Sequence, residues 1–300
     1  MIHNAIRQVA FIGTGLMGTP MVRRLLAAGF SVRLWNRTPE KLQGLLAAGA
    51  TRAGSPAEAA NGADVICLCL ANSAAVDGVL FGDRGVASAA SAAPLLVDFS
   101  TIGPARTREF AERLRGRCGS SWVDAPVSGG ATGAEQGKLV ILCGGPAADV
   151  ERLGPLFAAL AQRVTRVGAL GTGQTLKLCN QLIVASNLVA IAEALTLARA
   201  SGLDPNMLPQ ALTGGFADSI PLQIFGRRMA AGVRIPKLGE LSLMLKDLNG
   251  VDELARERQV QLPLAAAALA VYRHGASAGL MQEDLSALIS LYQPDATADP

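Results

Sequence analysis

Apolar positions along the chain fall into two regimes. From residue 8 to about 170, short β-branched runs (QVAFIG, SVRLWN, DVICLCL, LLVDFS, WVDAPV, LVILCGG and RVTRVG) alternate with stretches of helical period. That alternation predicts a parallel sheet covered by helices. After Gly173 no convincing strand remains, and PNMLPQALTGG, LQIFGRRMAAG, ELSLMLKDLNGVDELARERQ and LPLAAAALAVYRHGA repeat with a helical period. Pro205 and Pro263 stand where a first helical turn tolerates proline. The expected organisation is an α/β domain over residues 1–170 and an all-helical domain over 171–300 that begins with a long helix.

Residues 182–200, LIVASNLVAIAEALTLARA, approach the length of a membrane span, but Asn187 and Glu193 interrupt them. The expectation is a buried helix between domains and no membrane. Three hundred residues, half of them hydrophobic, suffice for two globular domains. A net charge of +3 with interspersed signs, and only 4% aromatic residues, argue against a nucleic-acid partner. The five cysteines (Cys67, Cys69, Cys118, Cys143 and Cys179) have no metal-ligand spacing and read as buried free thiols in a reducing cytosol. No metal is expected. MIHNAIRQVAFIGTG lacks the features of a cleavable signal, which points to a cytoplasmic protein, and only the last few residues, PDATADP, look like a tail.

The run VAFIGTGLMGTPM places Gly13, Thr14, Gly15, Leu16, Met17 and Gly18 between a strand and an amphipathic helix. In such a G-x-G-x-x-G turn the first glycine permits the tight turn and the second lets a pyrophosphate approach the backbone. The third allows close packing, and the helix N-terminus faces the anion. This is the turn of a Rossmann-type dinucleotide-binding domain. At the end of the second strand, where a carboxylate would select NAD, the chain carries Asn36, Arg37 and Thr38. A guanidinium pairs with a 2′-phosphate that a carboxylate would repel, so NADP is expected, with NAD possible. The lesser reading of Arg37 is a solvated loop arginine.

DAPVSGG ends in Ser128, Gly129 and Gly130, whose hydroxyl and N–H groups suit a carboxylate; by itself it is as well a plain turn. The only histidines, His3 and His274, stand away from every motif. Proton transfer during a hydride transfer therefore falls to another group, and Lys177 in GTGQTLKLCNQ is the candidate. Among apolar neighbours its pKa is expected to fall, although a lysine there also snorkels or binds phosphate. Asn180 and Gln181 follow three and four positions on, along the same helix face. Lys246 and Asp247 read alone as a solvated ion pair.

In order, FIGTGLMGTPM, WNRTPEK, DFSTIGP, DAPVSGG, GTGQTLKLCNQ and KDLNG resemble the β-hydroxyacid dehydrogenase family over nearly the whole chain. That family includes 3-hydroxyisobutyrate dehydrogenase, tartronate semialdehyde reductase and glyoxylate/succinic semialdehyde reductases, and is related to 6-phosphogluconate dehydrogenase. The resemblance implies a Rossmann domain followed by an all-α domain of the 6-phosphogluconate dehydrogenase-like type. It implies Lys177 as the general acid/base and Ser128, Gly129 and Gly130 as the loop for the substrate carboxylate. Leu70, Ala71, Thr101 and Lys246 match cofactor-contacting positions, and the NRT turn is similar to that of NADP-using members. The implied reaction interconverts a small β-hydroxy carboxylic acid and its semialdehyde, in a homodimer or homotetramer whose second domain closes over the substrate.

Gln181 stands where many members have the substrate-binding asparagine, with Asn180 one place earlier, so either amide is a candidate. Two other readings share the architecture: an imine reductase-like enzyme, and a non-catalytic NADP(H)-binding sensor. Retention of Lys177 beside DAPVSGG weighs against both.

Overall fold

The computed structural model describes residues 6–89 and 94–292; His3 and the C-terminal segment PDATADP lie outside them. Among the described residues the strands are β1 (Gln8–Ile12), β2 (Ser31–Trp35), β3 (Thr51–Arg52), β4 (Val65–Leu68), β5 (Leu95–Asp98), β6 (Trp122–Asp124), β7 (Val127–Ser128), β8 (Leu139–Gly144) and β9 (Ala161–Gly168). They form one sheet in the order β3-β2-β1-β4-β5-β6-β8-β7, with β9 on β8. All seven expected runs are strands. The two extra ones, β3 and β7, are two residues each, too short to show a period.

Pairing is parallel from β3 through β6, as expected. Past β6 the sheet is mixed, because β8 runs antiparallel to β6 and β7. The chain turns back there through DAPVSGG, with β7 paired to β8, and a seven-residue helix, Gly130–Gln136.

Alternation along the central strands loads both faces of the sheet. Phe11, Val65, Cys67 and Val97 face one buried layer, with Met21, Val22 and Leu25 of α1 (Gly18–Ala27). Ile12, Ile66, Leu68 and Leu96 face the other, with Phe110 and Leu114 of α2 (Pro104–Cys118). Reversal of strand order between β1 and β4 is the doubly wound arrangement, which puts ligands outside the carboxyl ends of those strands.

Two compact units divide the chain at Lys177/Leu178, inside α3 (Thr172–Ala200). The second unit is helical, with α4 (Leu241–Glu257) and α5 (Pro263–Ser277) around a core of Leu188, Leu195, Leu248, Tyr272 and Leu288. Among its described residues the only β pairing is an isolated bridge, Glu240 to Asp284. Pro263 opens α5 as expected. Pro205 instead precedes the helix Met207–Ala211, because Asp204 Oδ1 accepts the Asn206 N–H and closes a turn there.

The expectation of a buried helix over 182–200 holds for one stripe only. Ala185, Leu188, Ala192 and Leu195 are buried, whereas Ile183 (62%) and Leu197 (69%) are exposed. Large apolar residues stand on both the covered and the exposed sides of the helix, so the sequence does not mark which stripe is covered. The cysteine expectation also needs correction, since Cys179 is exposed and Cys69 and Cys118 are half-buried. Burial pushes the Cys67 thiol up, Cys69 up to about 12 and Cys143 up to about 11, which keeps all three protonated at neutral pH.

Candidate functional site

The glycine turn shows why each glycine is there. A Cβ on Gly13 (φ 102°) would lie 2.3 Å from the Cys69 carbonyl, and one on Gly18 would lie 2.0 Å from the Gly13 carbonyl. Chain packing excludes both. Gly15 has no atom within 4 Å of its would-be Cβ, so the turn has open space beside it there. No side chain caps α1 and no acidic residue occupies its first turn, leaving its positive end for an anion. Thr14 Oγ1 is buried without a hydrogen-bond partner among the described residues. Open space, an uncapped helix start and an unsatisfied hydroxyl all fit a dinucleotide pyrophosphate.

Asn36 ties this turn to the next one. Its Oδ1 accepts the Thr14 N–H at 3.2 Å, and its Nδ2 donates to the Thr38 carbonyl at 2.9 Å. Arg37 and Thr38 are exposed, and so are Leu16 and Ala71, while Met17 is half-buried. At the end of β4 the Leu70 N–H donates to Ser100 Oγ at 2.9 Å, drawing the Leu70–Ala71 turn to the loop that carries Thr101. The sequence-derived cofactor residues of the first unit are thus gathered along the carboxyl ends of β1, β2, β4 and β5.

Asp124 closes β6 and is fully buried. Its Oδ1 accepts the Gly171 N–H at 2.7 Å and its Oδ2 accepts the Gln174 N–H at 2.8 Å, at the start of α3. Burial raises its carboxyl to about 6, against the backbone donors, which pull the other way. Ser128 ends β7, and Gly129 (φ 122°) and Gly130 (φ 62°) hold backbone angles that only glycine adopts without strain. Both are exposed, at the start of the Gly130–Gln136 helix.

Gln174, also fully buried, accepts from the Ile102 and Gly103 N–H groups and donates to the Ser100 carbonyl. Lys177 follows one turn later with 8% exposure. The lysine therefore extends from a helix start that two buried side-chain connections fasten to the strand ends.

Within the second unit, Gln181 is engaged at both ends of its amide. Asn180 Nδ2 donates to its Oε1 at 3.0 Å, and its Nε2 donates to Asp247 Oδ2 at 2.5 Å. Asn180 keeps its Oδ1 outside this chain of bonds. Lys246 and Asp247 are paired at 3.0 Å, with the lysine side chain 31% exposed and the aspartate 7%, so only the lysine end of the pair is open to solvent.

Asp124 and Gln174 carry no sequence-derived assignment, and Asp247 has only that of an ion-pair partner. A polar residue closing a buried strand (WVDAP) and a glutamine just before the lysine were the available signals. His274 is exposed in the last turn of α5. Among the described residues no three metal-ligating side chains come together.

A doubly wound sheet with this turn, followed by a helical unit, defines a nicotinamide-dinucleotide-binding protein. Residues 8–168 match the NAD binding domain of 6-phosphogluconate dehydrogenase, and residues 171–292 match the NAD-binding domain of NADP-dependent 3-hydroxyisobutyrate dehydrogenase. The chain is 38% identical to the 2-hydroxy-3-oxopropionate reductase of Escherichia coli K12, covering 94% of this chain and 96% of that one. A 3-hydroxyisobutyrate dehydrogenase from Salmonella typhimurium superposes with a TM-score of 0.86 at 32% identity, covering 95% of this chain and 99% of that one. The 3-hydroxyisobutyrate dehydrogenase of Mycobacterium tuberculosis, solved with L-serine, also gives 0.86 at 29% identity, covering 96% of this chain and all of that one. The chain belongs to the β-hydroxyacid dehydrogenase family.

Proposed function

We propose that this protein is an NADP-preferring oxidoreductase that interconverts a small β-hydroxy carboxylic acid and its semialdehyde, with 2-hydroxy-3-oxopropionate as the foremost substrate. The carrying observation is Lys177, buried at the start of a helix fastened to the strand that leads into Ser128, Gly129 and Gly130. The substrate named follows the relative at 38% identity. Arg37, exposed beside Thr38 at the end of β2, supports the NADP preference through a pairing with the 2′-phosphate.

A bound nicotinamide dinucleotide would supply the hydride in reduction and accept it in oxidation. Gly15 and the first turn of α1 would hold its pyrophosphate, and Thr14 Oγ1 would gain a partner. The Ser128 hydroxyl and the N–H groups of Gly129 and Gly130 bind the substrate carboxylate and fix its orientation. Lys177 Nζ donates a proton to the carbonyl oxygen during reduction and takes it from the hydroxyl during oxidation. Of the two amides we assign Asn180 to the substrate, a choice supported by the engagement of the Gln181 amide with Asn180 and Asp247. The exposed Ile183 and Leu197 on α3 support assembly as a homodimer or homotetramer.

The test is the loss of reduced-nicotinamide absorbance with 2-hydroxy-3-oxopropionate, succinic semialdehyde, glyoxylate and methylmalonate semialdehyde, using NADPH and NADH in turn. Turnover of a semialdehyde with NADPH much better than NADH is the expected result. Lys177→Ala should bind cofactor normally and lose about a hundredfold or more in kcat. Near-wild-type kcat in that variant would refute the assignment.

A further inference from the structure

The buried carboxylate of Asp124 is not accounted for by substrate or cofactor binding. It is fully buried at the end of β6, and both of its oxygens are engaged by backbone N–H groups at the start of α3, from Gly171 and Gln174. Two glycines make room for it. A Cβ on Gly144 would come within 2.7 Å of Oδ1, and one on Gly173 within 2.8 Å of Oδ2. Further along the same strand connection lie Ser128, Gly129 and Gly130, four to six residues on. One helical turn past Gln174 lies Lys177.

We propose that Asp124 is a positioning residue for Lys177: its carboxylate locks the first turn of α3 to the end of β6, fixing the ammonium relative to the Ser128–Gly129–Gly130 loop. The inference rests on the reading of Lys177 as the acid/base. A single hydrogen bond would leave the helix start free to pivot about it. Two bonds, to residues three apart on one turn, remove that freedom, while Gln174 anchors the same turn to the Ser100–Gly103 loop. The backbone donors and the positive end of the macrodipole act in favour of the carboxylate and offset part of the cost of burying it. The task is geometric. A shift of about 1 Å in a reacting group is sufficient to cost a hundredfold in rate.

Asp124→Asn is the test, because the amide keeps the shape and one acceptor but turns an NH2 toward a backbone N–H. The variant should unfold cooperatively and keep KM for NADPH within about twofold, while kcat falls between about tenfold and a hundredfold. Loss of stability alone, with kcat of the folded protein within about twofold of wild type, would overturn the proposal. Hydrogen exchange of the wild-type holoenzyme supplies a second test that needs no variant. The Gly171 and Gln174 amides should exchange as slowly as those of the central strands, and exchange at the rate of exposed loops would overturn the proposal as well. Absence of turnover by the wild type with every semialdehyde would remove the functional reading instead, and the exchange rates would still decide whether the lock exists.

Discussion

Gln174 Nε2 donates to the Ser100 carbonyl at 2.7 Å, while Gln174 Oε1 receives the N–H groups of Ile102 and Gly103. One side chain thus completes the hydrogen bonding of the loop that holds Thr101. Gln174→Leu would keep the volume and strand three backbone groups, so a loss of about 3 kcal/mol of stability is expected. Guanidinium unfolding checks the number, and KM for the dinucleotide should rise in the same variant as the Thr101 loop loosens.

The three glycines of the nucleotide turn should separate in their effects. Gly18→Ala puts a methyl 2.0 Å from the Gly13 carbonyl and should abolish folding or soluble expression. Gly15→Ala meets nothing in the chain, so it should fold with a near-native melting temperature and lose affinity for both NADPH and NADH. Fluorescence titration with each nucleotide measures this, and wild-type affinity in Gly15→Ala would show that the pyrophosphate does not approach there.

Replacing Arg37 tests cofactor choice independently of chemistry. Arg37→Ala should weaken NADPH binding by about tenfold to a hundredfold, the range of a lost charge-assisted pair, with NADH unchanged. Equal losses for the two nucleotides would mean that Arg37 serves the loop and not the phosphate.

Asp124 predicts how stability should vary with pH. Its folded-state pKa of about 6 exceeds the ordinary 3.8, so between those values the folded chain holds a proton that the unfolded chain has released. The stability associated with the protonated form is complete below pH 3.8 and is lost as pH rises through about 6. Relative to Asp124→Asn, which does not titrate, the wild type should lose roughly 2 kcal/mol between pH 4 and pH 7. Denaturant midpoints of both proteins across that range give the result; parallel curves would contradict it.

Much of this fold was legible because its signals are local. Phe11 and Ile12, or Ile66 and Cys67, are adjacent apolar residues that serve opposite layers, and a run apolar at every position announces a strand buried on both faces. The spacing of Gly13, Gly15 and Gly18 was legible for the same reason, since the turn lies within six residues, although the Cys69 carbonyl that crowds Gly13 lies far along the chain. The connections of Asp124 to Gly171, and of Gln181 to Asp247, span 47 and 66 residues and leave no periodic trace. Nor does a sequence distinguish Ala185 from Ile183, one buried and one exposed on the same apolar helix, because the difference lies in what packs against each.

Asp124, Gly144 and Gly173 form a set whose members constrain one another's replacement. A side chain at either glycine collides with the carboxylate, and also with main-chain carbonyls at 2.6 Å from Ala169 and 2.4 Å from Leu142, so removing the carboxylate does not relieve the crowding. In a random mutational library the two glycines should therefore be intolerant in every background, including those that lack Asp124. The carboxylate is the only member of the three that evolution can exchange without first rebuilding the backbone around it.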